Sequence, residues 1–385
     1  MVPGGAYTVI CSPPIISAIE IKGGTRMTKS NMDKLGLNSL FEQEAALYKE
    51  LYLARVSAQH KDFFMLVTAS GEVRAQAAGK LQLYGKESQD YPAVGDWVMV
   101  DRIDNLNGNV IIHHRLKRKS ALFRKSAGKS NDSQIIAANI DIVFICMSLN
   151  NDFNLRRLER YLSIAWDSGA NPVVVLTKAD LCYDLSAKLA EVYSVAIGVD
   201  VLVTTSIHQD GYGEVSKYLS HGTTVAFIGS SGVGKSTLIN RLIGKESLVT
   251  REIRADDKGR HTTTHRQLLL VPDGGVVIDT PGMRELQLES ADLARSFSDI
   301  EELAKYCRFG DCAHSSEPGC AVNDAIKKGK LSVERLQSYI KLQNEMSYQG
   351  LNSRQVEQEK INRMFKDVGG KKQARDLVKF KQKFK

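Results

Sequence analysis

Cysteine is scarce in this chain, and the few cysteines do not form the pattern of a disulfide-stapled protein. There are 6 cysteines in 385 residues. Their spacing implies no disulfide framework, so a reducing cytoplasm is the expected compartment. No apolar run reaches the ~18 residues that a membrane span requires. The opening segment, residues 9–16, is broken by prolines and lacks a basic start, so it is a poor signal peptide. These absences predict a soluble, cytoplasmic protein.

Acidic residues are outnumbered by basic ones. The chain has 44 Asp and Glu against 52 Lys and Arg, which gives a net charge of +8 at pH 7. This excess favours a polyanionic partner, either nucleic acid or an anionic membrane, although alone it is a weak indication. Residues 113–129 contain 7 Lys or Arg and no acid. That stretch is either a solvated linker or a strip that contacts phosphates.

The first part of the chain divides into three segments. Residues 1–44 show no sustained periodicity, which predicts a disordered extension. Residues 45–115 contain short strand-like runs separated by turn residues, which predicts a small closed barrel of the OB-fold type. An SH3-like barrel is the alternative. Residues 116–138 form the basic linker.

The second part alternates strands with helices. Over residues 139–289, apolar runs rich in β-branched residues are separated by helical patterns, which predicts a mainly parallel sheet covered on both faces. Residues 290–350 have a helical pattern interrupted by cysteines. Residues 351–385 form a basic tail, which is either solvated or becomes ordered on RNA. The predicted class is therefore multidomain α/β.

A glycine-rich stretch at residues 229–237, Gly-Ser-Ser-Gly-Val-Gly-Lys-Ser-Thr, follows one of these strands. It fits the pattern of a phosphate-binding loop, in which backbone N–H groups and a helix start cradle the phosphates of a nucleoside triphosphate. We expect Lys235 to reach the β- and γ-phosphates and to act in catalysis, and Ser236 to ligate Mg2+. The loop residues expected to bind the nucleotide are Gly229, Ser230, Ser231, Gly232, Val233, Gly234, Lys235, Ser236 and Thr237.

Two further motifs complete the expected nucleotide site. Asp279 ends a later strand and is expected to hold Mg2+, while Gly282 leaves room for the γ-phosphate. Residues 177–180, Thr-Lys-Ala-Asp, follow an earlier strand, and a carboxylate such as that of Asp180 accepts hydrogen bonds from the paired donors of guanine. Their expected contacts are the hydroxyl of Thr177, the stem of Lys178, the carboxylate of Asp180 and the backbone of Thr205 and Ser206.

The order of these motifs is unusual. In ordinary GTPases the base-reading motif follows the phosphate loop, whereas here residues 177–180 precede it. A circularly permuted GTPase domain explains this order, because permutation is tolerated when the original termini of a domain lie close together.

Four soft ligands are clustered near the end of the chain. Cys307, Cys312, His314 and Cys320 fall within fourteen residues. Tetrahedral Zn2+ is bound by such sets, and closed four-ligand sites are structural. The sequence therefore predicts one structural zinc ion.

The combination resembles the ribosome small subunit-dependent GTPase A family over roughly residues 45–345. The resemblance rests on the permuted order, residues 91–97 (Tyr-Pro-Ala-Val-Gly-Asp-Trp), residues 258–265 (Lys-Gly-Arg-His-Thr-Thr-Thr-His) and the cysteine cluster. It implies a factor that binds the small ribosomal subunit and its RNA and hydrolyses GTP to GDP late in subunit maturation. Residue 177 departs from the family, which commonly has Asn there.

The candidate catalytic group for hydrolysis is a histidine rather than a glutamine. Met283 stands where many GTPases have a water-orienting Gln, so we expect slow intrinsic turnover and stimulation by the subunit. His261 is the candidate for polarising the water, and Thr263 for completing the Mg2+ shell. His261 could instead be a solvated or RNA-facing residue. The alternative function is a non-catalytic, GTP-dependent scaffold on ribosomal RNA, and in either case we expect a monomer.

Overall fold

The computed structural model describes most of the chain. The described residues are 19–21, 25–27, 29–83, 90–125, 133–206, 211–244, 266–272, 274–279, 293–347, 355 and 357–359. The strands are β1 (Ile19–Ile21), β2 (Thr25–Met27), β3 (Tyr52–Gln59), β4 (Phe64–Thr68), β5 (Gly71–Ala77), β6 (Trp97–Val100), β7 (Val110–Arg115), β8 (Ala121–Lys125), β9 (Ser133–Ala138), β10 (Ile142–Ser148), β11 (Asn171–Thr177), β12 (Asp200–Val203), β13 (Thr224–Ile228), β14 (Gln267–Leu270) and β15 (Val276–Asp279).

Most of the helices are short. The helices are α1 (Lys29–Lys34), α2 (Ser39–Ala45), α3 (Gly79–Leu83), α4 (Leu155–Asp167), α5 (Leu185–Tyr193), α6 (Gly213–Ser216), α7 (Lys235–Ile243), α8 (Leu293–Ser296), α9 (Ser298–Ala304), α10 (Ala321–Lys327) and α11 (Val333–Met346), with a 3-10 turn at Ala179–Leu181. The two longest of these are α4 with 13 residues and α11 with 14 residues. In this part of the chain, no helix combines the length and the apolar character that crossing a membrane requires.

Strands β3 to β7 form a closed barrel. Their order is β3-β4-β5-β7-β6, and β6 also pairs with β3, which closes the sheet. Buried and exposed residues alternate along β5, because successive side chains of a strand point to opposite faces. The interior is filled by small and branched residues such as Val56, Leu66, Val98 and Ile112. The predicted OB-type barrel is confirmed.

The second sheet has the order β12-β11-β10-β13-β15-β14. The first five of these strands pair in parallel, and β14 is antiparallel to β15. Strands β13 and β15 are buried along their whole length, as expected when helices cover both faces. A contact between Gln267 of β14 and Ala58 of β3 joins this sheet to the barrel. The predicted α/β architecture is confirmed.

Residues 29–44 differ from the sequence prediction. They form α1 and α2 rather than a disordered segment, and Met32, Leu35 and Phe41 are buried. The side chain of Asn38 caps α2 by accepting from the backbone N–H groups of Leu40 and Phe41 at 3.1 Å. The prediction of disorder is wrong for these residues. Two short helices with only three buried apolar residues do not produce the repeated hydrophobic pattern from which helices are predicted. Residues 1–18 lie outside the described part.

A buried arginine links this segment to the barrel and the second sheet. Arg55 of β3 is 1% exposed, and its Nε donates to the Gly95 carbonyl at 3.1 Å. Its Nη1 donates to the Leu35 carbonyl, and its Nη2 donates to Thr224 Oγ1 at 3.0 Å. Burial lowers the pKa of Arg55 to about 10. Burying a guanidinium without hydrogen-bond partners costs free energy, so these bonds are strongly favoured. They fix the N-terminal helices, the barrel and the second sheet against one another.

The predicted basic linker, residues 116–138, is partly a β-hairpin of β8 and β9. Two of its cations and one just before it have carboxylate partners: Arg118 pairs with Asp96, Lys119 with Asp141, and Arg115 with Asp90. Arg118 and Asp96 are nearly inaccessible to solvent. Arg118 joins this segment to the barrel and Lys119 joins it to the start of the second sheet, so the interpretation of the whole run as a phosphate-contacting strip does not hold for the buried Arg118.

The C-terminal helices pack against α4, and a buried arginine of α11 anchors them. Arg335 Nη1 donates to Glu159 of α4 at 3.0 Å, and Arg335 also forms a two-pronged pair with Asp299 at 2.6 and 2.7 Å. The guanidinium lies 4.9 Å from the ring centre of Phe297. The helical character predicted for residues 290–350 agrees with α8 to α11. Most of the predicted tail, residues 351–385, lies outside the described part.

Candidate nucleotide and metal sites

The phosphate loop lies between β13 and α7. Gly229, Gly232 and Gly234 all have positive φ angles, of 147°, 83° and 97°. A side chain at position 229 would also meet the carbonyl oxygen of Cys146 at 2.4 Å. Glycine is therefore required here for the close packing of β13 against β10 and for the bend of the loop.

Lys235 and Asp279 are two buried, opposite charges beside this loop. The ammonium of Lys235 donates to the carbonyls of Gly229 and Ser230 at 2.8 and 2.6 Å. Burial lowers the pKa of Lys235 to about 8, and burial raises the pKa of Asp279 to about 6, although each charge partly offsets the shift of the other. Each group is thus less stable in its charged form than in water, as expected where phosphates and a cation bind.

Asp279 fits a metal-binding role. It is the last residue of β15 and is 4% exposed. Its Oδ2 has no hydrogen-bond partner within the described ranges. Because buried carboxylate oxygens are normally satisfied, an unpaired one at this edge suits a divalent cation.

The predicted base-reading turn follows β11 directly. The Thr177 hydroxyl is buried and donates to the Val233 carbonyl of the phosphate loop at 2.6 Å. Lys178 has a left-handed backbone with φ of 58°, a conformation that is costly for a residue with a side chain. The Thr205 hydroxyl donates to Asp180 Oδ1 at 2.6 Å. The structure therefore brings all three predicted segments to one edge of the sheet.

One residue near the base-reading turn escaped the sequence analysis. Arg241 of α7 donates to the Ser206 carbonyl, and its guanidinium carbon lies 5.7 Å from the centre of the Tyr212 ring. It therefore holds the end of the segment that follows β12 against the helix of the phosphate loop. On an amphipathic helix, an arginine gives no signal that separates this contact from a solvated surface charge.

Three predicted site residues lie in segments that the structure does not describe. His261 and Thr263 fall in residues 245–265, and Gly282 falls in residues 280–292, both of which lie outside the described part of the chain. Their roles stay predictions.

The four predicted zinc ligands converge. Their ligand atoms all lie within 4.8 Å of one another. Cys307 Sγ is 3.9 Å from Cys320 Sγ and 3.7 Å from His314 Nδ1, and Cys320 Sγ is 3.5 Å from His314 Nδ1. Tetrahedral zinc, with bonds of about 2.3 Å to sulfur and about 2.0 Å to nitrogen, would separate two thiolates by about 3.8 Å and a thiolate from a nitrogen by about 3.5 Å. The cluster fits a zinc ion.

Family models match two overlapping parts of the sequence. The model described as RsgA GTPase matches residues 115–289. A model described as ABC transporter matches residues 212–378, a range that contains the phosphate loop but neither the turn at residues 177–180 nor the barrel.

Curated relatives match over nearly their whole length. Small ribosomal subunit biogenesis GTPase RsgA 2 of Lactiplantibacillus plantarum is 53% identical over 350 residues, which cover 91% of this chain and 97% of that protein. Small ribosomal subunit biogenesis GTPase RsgA of Methanosarcina acetivorans is 42% identical over 357 residues, which cover 90% of this chain and 95% of that protein.

Two solved structures share the fold. YjeQ from Thermotoga maritima matches with a TM-score of 0.57 and 26% identity, over 77% of this chain and 99% of that chain. YloQ, described as a circularly permuted GTPase, matches with a TM-score of 0.54 and 24% identity, over 77% of this chain and 95% of that chain. These matches agree with the permuted order of the motifs.

Proposed function

Because this chain belongs to the RsgA GTPase family, we propose that it hydrolyses GTP to GDP, binds the small ribosomal subunit and acts late in the maturation of that subunit. The observation that carries the proposal is the convergence of the phosphate loop, Asp279 and the turn at residues 177–180 at one edge of the sheet. The relatives named for small-subunit biogenesis support the choice of partner.

Phosphate binding follows from the loop and its lysine. We expect backbone N–H groups of residues 229–237 to surround the β- and γ-phosphates. The Lys235 ammonium has three N–H donors, of which two bind the Gly229 and Ser230 carbonyls, and the third would bind a phosphate oxygen. A bound phosphate would also favour the charged form of this buried lysine, whose pKa burial lowers to about 8.

The magnesium site would use Ser236, Thr263 and Asp279. Their hydroxyl and carboxylate oxygens would hold Mg2+, which neutralises charge on the phosphate oxygens as the γ-phosphoryl group is transferred to water. The buried, unpartnered Oδ2 of Asp279 supports this assignment. Gly282 would supply an N–H group near the γ-phosphate.

Guanine recognition is assigned to Asp180. Its carboxylate would accept from the two adjacent donors of guanine, while the Lys178 stem covers the base and the backbone of Thr205 and Ser206 faces the guanine carbonyl. Thr177 ties this turn to the phosphate loop through Val233. A hydroxyl therefore makes this tether at a position where the family commonly has Asn.

Hydrolysis requires a group that orients the attacking water. Met283 is apolar, so we assign this role to His261 of the loop at residues 258–265. Such loops become ordered when a partner holds them, and here the ribosomal subunit would be that partner. Slow intrinsic turnover and strong stimulation by subunits follow.

Zinc would be structural in Cys307, Cys312, His314 and Cys320, because four protein ligands leave no open position for chemistry. We further propose that the protein acts in the cytoplasm as a monomer and that its basic surface binds ribosomal RNA, consistent with the net charge of +8.

Single-turnover GTP hydrolysis with and without small ribosomal subunits tests the proposal. We expect strong stimulation in wild type, and His261→Ala should lose most of it while retaining GTP affinity. His265→Ala, in the same loop, is the matched control. A His261→Ala variant as fast as wild type would remove His261 from the mechanism. A wild-type protein that binds subunits but never hydrolyses GTP would favour the non-catalytic scaffold.

A further inference from the structure

One turn of α4 contacts both the phosphate loop and the C-terminal helices. Glu159, Arg160 and Tyr161 are consecutive, and residues two apart on a helix point to roughly opposite sides. Glu159 and Arg160 contact α11, whereas Tyr161 contacts the phosphate loop. A displacement of this turn relative to either neighbour therefore changes the contact with the other.

The contact with the C-terminal helices is buried and charged. Glu159 is fully buried and accepts from Arg335 Nη1 at 3.0 Å and from Arg156 at 2.7 Å. Arg160 Nη2 donates to Glu345 at 2.7 Å. Removing one partner of a buried pair leaves the other charge uncompensated, so this side of α4 is strongly held.

The contact with the phosphate loop is a hydrogen bond between two buried hydroxyl groups. Tyr161 is 3% exposed and Ser230 is 4% exposed, and their side chains hydrogen-bond to each other. The backbone carbonyl of the same Ser230 accepts from Lys235 Nζ at 2.6 Å. Tyr161 therefore fixes the residue that holds the lysine expected to bind the β- and γ-phosphates.

We propose that Tyr161 is a positioning residue for the nucleotide site, because its bond to Ser230 sets the position of Lys235. Tyr161 lies in the same helical turn as Glu159 and Arg160, which bind α11. The position of Lys235 therefore depends on the C-terminal helices. The inference rests on the proposed GTP hydrolysis. The inference goes beyond GTP hydrolysis because it names the contacts through which the C-terminal region, which carries the zinc ligands, would adjust the phosphate loop.

The first test compares Tyr161→Phe with Tyr339→Phe. Both remove a buried tyrosine hydroxyl, but that of Tyr339 donates to Glu301 in the C-terminal helices at 2.8 Å. Because Lys235 reaches the γ-phosphate, Tyr161→Phe should lower the ratio of GTP affinity to GDP affinity about three- to tenfold, the effect of one lost hydrogen bond. Tyr339→Phe should lower only thermal stability. An unchanged GTP-to-GDP affinity ratio in Tyr161→Phe would overturn the proposal.

Ser230→Ala identifies the route. If the two hydroxyls act through one bond, Ser230→Ala combined with Tyr161→Phe should change the affinity ratio no more than either single substitution. Additive effects would show that Tyr161 does not act through Ser230 and would refute this link to Lys235.

The dependence on the C-terminal helices needs a second pair of variants. Glu345→Gln weakens a partly exposed pair and should leave the fold intact. We expect it to lower the GTP-to-GDP affinity ratio in wild type and to have no further effect beside Tyr161→Phe. A full effect in both backgrounds would exclude Tyr161 as the route. All these readouts are equilibrium affinities without ribosomal subunits, so a failure of hydrolysis or stimulation would refute the proposed function and leave this test interpretable.

Discussion

The hydroxyl of Thr177 donates to the carbonyl of Val233 at 2.6 Å, which joins the end of β11 to the phosphate loop across 56 residues of chain. The side chain at position 177 therefore serves two segments of the nucleotide site at once. It is buried, so no water can replace its hydrogen bond when the hydroxyl is removed.

Thr177→Val should weaken GTP and GDP binding to a similar extent. The substitution keeps the shape of the side chain and leaves the Val233 carbonyl without its partner, at a cost of about 1 kcal/mol or about fivefold in affinity. Titration with fluorescent GTP and GDP measures this. Thr223→Val, at the opposite end of β13, is the control. A selective loss of GTP binding alone would contradict a tethering role.

Asp180→Asn should change the base preference. The substitution replaces one acceptor by a donor that faces the donors of guanine, so affinity should shift toward xanthine nucleotides. Competition among GTP, XTP and ATP measures the shift. Wild-type protein that binds ATP as tightly as GTP would refute guanine selectivity and with it the role of Asp180.

Asp279→Asn should stabilise the nucleotide-free protein in a pH-dependent way. The pKa of Asp279 is raised by burial to about 6, whereas an unfolded aspartate titrates near about 3.9. The folded state therefore holds the proton more tightly, and the free energy of unfolding falls as pH rises through this interval.

Above pH 6 the buried charge costs up to about 3 kcal/mol. The melting temperature of Asp279→Asn should accordingly exceed that of wild type at pH 7.5 and match it near pH 4, while Mg2+-dependent GTP binding is lost. The exposed Asp62→Asn serves as the control. An equal stabilisation of Asp279→Asn at both pH values would show that desolvation of the carboxylate is not the cause.

Cys312→Ala should remove zinc and loosen the C-terminal helices. Wild-type protein should contain about one zinc ion per chain, because four ligand atoms lie within 4.8 Å of one another. Elemental analysis and limited proteolysis measure the two effects, and nucleotide binding should be largely retained. Cys182→Ala, outside the cluster, is the control. If wild-type protein freed of zinc has the same melting curve as wild-type protein that contains zinc, a structural role for the ion is refuted.

The sequence predicted the features in which chemistry restricts the residue types. A phosphate loop requires glycines at positive φ, and Gly229, Gly232 and Gly234 have them. The cysteine cluster is similarly readable, because few other arrangements place four soft ligands so close together. The barrel and the parallel sheet followed from apolar periods of two and from buried runs.

The features that the sequence missed depend on contacts between distant segments. Nothing in the sequence near Tyr161 indicates a bond to Ser230, and a basic run gives no sign that Arg118 is buried against Asp96. Residues 29–44 were missed for a related reason. Their two helices are too short to be stable alone. They gain stability from packing, such as that of Phe41 against Trp97, whose ring centres are 5.8 Å apart.

The bond between Arg55 and Thr224 has a consequence for the order of events during synthesis. Its partners are 169 residues apart, so the barrel strands leave the ribosome long before Thr224 does. N-terminal domains generally fold first as a chain emerges. Here the arginine inside the N-terminal half cannot complete its bonds until the strand that carries the phosphate loop has been made. The barrel of the nascent chain therefore lacks one of the hydrogen bonds of its buried arginine until β13 of the second sheet has been synthesised.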